Sequence, residues 1–171
     1  MAATYQVVNY TGAGPTKTAW AAGLLFHRAD TNQTVAGSCV PIPIPAAGNA
    51  WSWRKWVKLE ILTTPVGLVT NLRWFSDAVA MGTGVIMRVA QIATYAQATS
   101  ADETAVIGGS PVDATTLTSA SPKVVNAGTV ITNPSTGVGT QDHMCMQVEV
   151  ASTASPGTTA ARTYSYRVDE T

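Results

Sequence analysis

Apolar and polar residues alternate along much of the chain. Between Trp51 and Thr63, the residues Trp51, Trp53, Val57, Leu59 and Ile61 share one face, with Lys55 as an exception. Ser52, Arg54, Lys58 and Glu60 occupy the other face, beside Trp56. Side chains of an extended chain point to opposite sides in turn, so this spacing predicts a half-buried β-strand. The same period recurs in Leu68 to Ser76, Val85 to Tyr95, Met144 to Val150 and Arg162 to Val168. Thr4 to Tyr10 is rich in strand formers and ends at the turn signal Thr11-Gly12-Ala13-Gly14-Pro15. Thr18 to Arg28 is mostly apolar; Gly23 lies at its middle and no capping residue precedes it, so it reads as strand rather than helix. Ala154-Ser155-Pro156-Gly157 separates the last two strands and predicts a closing hairpin.

Two segments break the pattern. In Val40-Pro41-Ile42-Pro43-Ile44-Pro45 three prolines remove three backbone donors. The segment must be extended, cannot lie inside a sheet, and would present Val40, Ile42 and Ile44 to one side. From Gln97 to His143 there is no aromatic residue, only chain dominated by Thr, Ser, Gly, Ala, Val and Pro. Short strands such as Thr129 to Thr132 are expected within it, and its lack of large side chains suggests a projecting arm or intersubunit contact. Many short strands divided by Gly, Pro and Asn turns predict one all-β domain over residues 1–171. The expected architecture is an antiparallel β-sandwich of Greek-key or jelly-roll type, with residues 97–143 as a loop-rich, Thr/Ser/Gly-rich excursion.

Composition narrows the function. Of the 171 residues 46% are hydrophobic, enough for a core, while only 12% are charged and the net charge is zero. A weakly charged, hydroxyl-rich surface suits contact with protein. No basic tract is present to neutralise phosphates, so no nucleic-acid partner is expected. No apolar run approaches the roughly 20 residues of a membrane helix, and the first residues lack a secretory leader, so synthesis in a cytoplasm is expected. Asn9-Tyr10-Thr11 and Asn32-Gln33-Thr34 then read as chance glycosylation matches. Cys39 and Cys145 are too few for a disulfide framework; two small buried hydrophobes is the favoured reading, with a single long-range bridge as the other.

Catalytic signals are sparse. His27 and His143 have no nucleophile motif nearby, and both the Gly-x-Ser-x-Gly and phosphate-loop patterns are absent. Asp102-Glu103 and Asp169-Glu170 are adjacent in sequence, so in extended chain their carboxylates point apart. No enzyme activity, catalytic residue, cofactor or metal site is expected. The tryptophans are more informative: Trp53 and Trp74 read as core, and Trp56 as a contact for a partner protein, where Trp and Arg are enriched. A sugar-stacking platform is the competing reading. The candidate partner contacts are Trp56, Arg54, Val40, Ile42 and Ile44.

Thr70-Asn71-Leu72-Arg73-Trp74-Phe75-Ser76-Asp77, Gly82-Thr83-Gly84-Val85, Ala154-Ser155-Pro156-Gly157 and Tyr164-Ser165-Tyr166-Arg167-Val168-Asp169-Glu170 together resemble the head decoration, or cement, proteins of tailed bacteriophages. The likeness is of style, over about half the chain, and residues 97–143 contribute nothing to it. It implies a virion protein on the capsid exterior that binds the major capsid protein, stabilises its lattice and associates with itself, with a homotrimer favoured. Another virion component, such as a tail or adaptor protein, and a carbohydrate-binding module are the alternatives.

Overall fold

A computed structural model describes residues 3–20 and 23–171. The chain is all-β, with two antiparallel sheets packed face to face. Ten strands are described: β1 Tyr5–Thr11, β2 Thr16–Ala19, β3 Asn49–Trp51, β4 Lys55–Ile61, β5 Leu68–Ser76, β6 Val85–Ile92, β7 Val112–Asp113, β8 Lys123–Thr132, β9 His143–Ala151 and β10 Tyr164–Glu170. The large sheet runs β2-β1-β4-β9-β6-β7, with β3 also on β9; the small sheet runs β10-β5-β8. Alternation sets the core between them. Val57, Met87, Val89, Met144, Met146 and Val148 from the large sheet meet Leu72, Trp74, Val125 and Val130 from the small one. Trp74 stacks on Tyr164 with ring centroids 5.4 Å apart. Side chains of this size each contribute about 1.5–3 kcal/mol when fully buried.

The predicted strand from Trp51 to Thr63 is interrupted. Trp51 is opposite Glu149 and Lys55 is opposite Met146, so Ser52, Trp53 and Arg54 face only Gln147 and Val148. One extra residue makes a bulge and reverses the alternation beyond it. Trp51 and Trp56 therefore lie on the same, outer face of the large sheet, while Lys55 joins Val57 on the inner face. Ser52 stitches the gap: its N–H donates to Val148 O at 2.9 Å, and its Oγ accepts the Val148 N–H at 2.9 Å.

Three further expectations are corrected. β9 and β10 do not form a hairpin. β9 is the centre of the large sheet, paired with β3 and β4 on one edge and β6 on the other, so β10 crosses over to pair with β5. Gly23 to Arg28 is loop, not strand; Ala21 and Ala22 lie outside the described residues. Its backbone bonds are isolated: Leu25 N–H to Gln33 O, Arg28 N–H to Val40 O, and Trp53 N–H to His27 O. The proline segment cannot supply the ladder that would turn this stretch into a strand.

The aromatic-free stretch does not project as an arm. It contains the ten-residue β8, and before that it lies across the outer face of the large sheet. Its small residues permit the close approach. Gly109 has φ +77°, and an added Cβ there would sit 3.0 Å from Gln91 O. Gln147, buried on β9, anchors the crossing: Oε1 accepts the Ile107 N–H at 2.8 Å, and Nε2 donates to Ser52 O at 2.9 Å and Asp102 O at 2.8 Å. Asp102 is buried and caps the 3-10 turn Ser100–Glu103 through a reciprocal bond set with Thr99.

Candidate docking cleft

The seven strands of one sheet exceed the three of the other, so part of the large sheet's inner face has no strand above it. Loops cover it incompletely, leaving an open cleft of about 1220 Å³. Its floor is Val7 of β1, Val57 of β4 and Met146, Val148 and Val150 of β9. Tyr164 and Tyr166 of β10 form one wall, with Trp74 behind them. Opposite stand Trp20, Phe26, Ile42 and Ile44, and the segment from Ala154 to Thr163 closes one end. Tyr166 reaches across to donate from its hydroxyl to Val57 O at 3.3 Å. Burial holds the Tyr164 and Tyr166 phenols protonated, far above the ordinary tyrosine range.

Thr83, Ser155, Thr158, Thr159 and Thr163 bring hydroxyls to the cleft, beside the charged side chain of Arg162. Arg162 donates to the carbonyls of Ala161 and Ala80, its Nε is buried with no hydrogen-bond partner, and no carboxylate pairs with it among the described residues. His27 lines the far side, with Nε2 3.1 Å from Thr31 O. Burial, and then the Lys55 charge, lower its pKa below the ordinary imidazole value. The Lys55 ammonium donates to the same Thr31 carbonyl, and burial brings its pKa down to about 8 against the opposing pull of Asp30 and Cys39.

The candidate contacts separate into two groups. Val40 is 51% exposed and Ile44 38% exposed, on the extended proline segment at the edge of the cleft; Ile42 beside them is half-buried against the core. Val40 and Ile44 are therefore open to solvent, whereas Ile42 packs inward. Trp56 is not a surface contact: it is 1% exposed and packs with Ala90, Ile107 and Cys145 on the other side of the large sheet. The covering residues 93–111 bury it, and Arg54 lies over its ring at 5.9 Å. Arg54 itself is engaged with Asp102, Nε to Oδ1 at 2.8 Å. Trp74 is core as expected, whereas Trp53 is half-buried and donates from its indole to Glu103 Oε1 at 3.0 Å.

The two imidazoles are on opposite faces of the large sheet. His143 is on the outer side, between Tyr10 and Trp56. Among the described residues, no group of three His, Cys, Asp or Glu side chains gathers in metal-binding geometry, and no helix is long and apolar enough to cross a membrane. Cys39 and Cys145 are both free thiols; Cys145 is buried, and burial raises its pKa well above the ordinary thiol value, but Cys39 is only partly covered. The side chains of Asn9 and Asn32 bond to each other; Asn9 is buried and Asn32 half-buried.

Trp20, Phe26, Tyr164, Tyr166 and Arg162 were not singled out from the sequence as site residues. Trp20 and Phe26 belong to a run with no period, and only the sheet pairing shows which surface Tyr164 and Tyr166 would line. Comparison with known proteins found no matching family model, no matching curated protein and no matching solved structure.

Proposed function

We propose that this chain is a non-catalytic structural protein of a virus particle: a decoration protein that binds the outside of a phage head, contacts the major capsid protein and stabilises its lattice. The observation that carries the reading is the open cleft lined in part by exposed Ile44, with exposed Val40 on the same proline segment. Exposed apolar surface of this kind marks a place where another protein completes the fold. The low charge and the resemblance to cement proteins agree with it. Self-association, with a trimer favoured, would cover part of that surface.

Burial of Trp56 and Trp74 weakens the carbohydrate-binding alternative, because sugar stacking needs aromatic faces in contact with water. A tail or adaptor role shares the same surface logic and differs in copy number per particle. The test is cosedimentation of the purified protein with assembled heads and with free capsid subunits. Saturable binding to heads alone is expected. Failure to bind heads, together with a stable monomer by light scattering, would remove the proposal.

A further inference from the structure

We infer that the cleft and the outer edge of β10 form one groove that receives an extended strand from the protein this chain coats; the identity of that donor rests on the function proposed above. Size is the first argument. Small-molecule sites span about 300–1,000 Å³, and this cleft, at about 1220 Å³, exceeds them while remaining partly open to solvent.

Position is the second. Of the small sheet, β10 and Trp74 line the cleft and β8 does not, so the space lies beside the outer edge of β10. β10 pairs with β5 on one edge only. Among the described residues, no backbone bond reaches its other edge between Tyr164 and Val168.

The remaining sheet edges are protected. β2 has four residues and β7 has two. On β8, Thr140 donates to the carbonyls of Thr129 and Val130, and Gln91 donates to Val125 O. Among the described residues β10 has the long edge with no chain over Tyr164 to Val168; the bulge and charges at Arg167 and Asp169 leave its first half, Tyr164 to Tyr166, as the part that can template strand addition.

An incoming strand would extend the small sheet to four strands. Its inward residues, at every second position, would fill the space beside Tyr166, whose hydroxyl already closes on Val57 O, above the floor at Val7 and Val148. Arg162 at the cleft end, without a carboxylate partner, would meet an acidic side chain or a terminal carboxylate on the donor.

Hydrogen–deuterium exchange of the full chain, free and bound to assembled heads, tests this. The alternate β10 amides that point away from β5 should exchange rapidly in the free protein and become protected on the heads. Thr159→Trp, which fills the cleft mouth, should weaken head binding about tenfold or more without shifting Tm; Arg162→Glu should weaken it by as much, and its Tm should also fall because the bonds to Ala80 and Ala161 are lost. Head binding with unprotected β10 and indifferent variants would overturn the groove while leaving the decoration role intact. Absence of head binding by the unmodified protein would overturn both. Protection that rises with protein concentration in the absence of heads would assign the groove to a second copy of this chain and overturn the capsid donor.

Discussion

His143 illustrates how strongly one position responds to its surroundings. Its ring packs edge-on against Tyr10 and Trp56, with centroids at 5.3 and 5.5 Å. Burial, and next the charge of Lys58, push its pKa from 6.5 down to about 4. Between those two values the unfolded chain takes up a proton that the native imidazole refuses. The unfolded state then binds more protons, so stability falls as pH drops through this window. A shift of that size corresponds to about 3 kcal/mol at full effect, and about half of that is expected once solvent screening is included. Urea unfolding at pH 7 and pH 4.5 should show this loss in the parent protein, and His143→Phe should reduce it. Equal pH dependence in the two proteins would show that His143 does not titrate this way. Trp56 belongs to the same cluster, and its burial has the same origin: the chain that covers it is distant in sequence.

The strands show which information is local and which is not. β5 coincides with the alternating segment Leu68 to Ser76, and β9 extends Met144 to Val150 by one residue at each end. Both faces of β9 are nonetheless buried, which its alternation of Met and Val with Cys, Gln and Glu did not suggest. The polar face is sealed by chain some 40 residues away, where Gln147 finds its partners. β8 was legible only at its end, because Asn126, Ala127 and Gly128 interrupt the pattern and its pairing with β5 carries register shifts. The bulge at Ser52 to Arg54 was also hidden, since one surplus residue appears only when the partner strand is known. Of the cleft, the sequence showed the proline segment and nothing of the opposite wall. Gln147 tests the seal directly. Gln147→Ala would strand the Ile107 N–H and the carbonyls of Ser52 and Asp102 away from their partner. Each buried unsatisfied group costs about 1–3 kcal/mol, reduced where water enters. We expect a total loss of about 2–4 kcal/mol, with faster amide exchange at residues 98–107. Unchanged exchange there would mean that the covering segment is held by other contacts.

At the scale of the whole molecule, the small sheet is too narrow for the large one, and the apolar floor it leaves uncovered opens on the side of Ile42 and Ile44. A protein that existed only as a free monomer would gain by making that side polar. Val40 and Ile44 are where this can be tested without disturbing the core, because both are exposed on an extended segment. Ile42 is unsuitable, since it packs inward and its loss would confound folding with binding. Replacing both exposed residues, Val40→Asp with Ile44→Asp, should change stability by no more than about 0.5 kcal/mol per site, the usual range for surface positions. The same pair should lower both self-association, read by light scattering across a concentration series, and the amount bound to assembled heads. Trp56→Ala provides the contrast: a large side chain removed from a packed cluster should cost about 3–5 kcal/mol, while the properly folded fraction still binds. If the Asp pair leaves association and head binding untouched, the proline segment lies outside the interface, and the partner must enter through the cleft without meeting Val40 or Ile44.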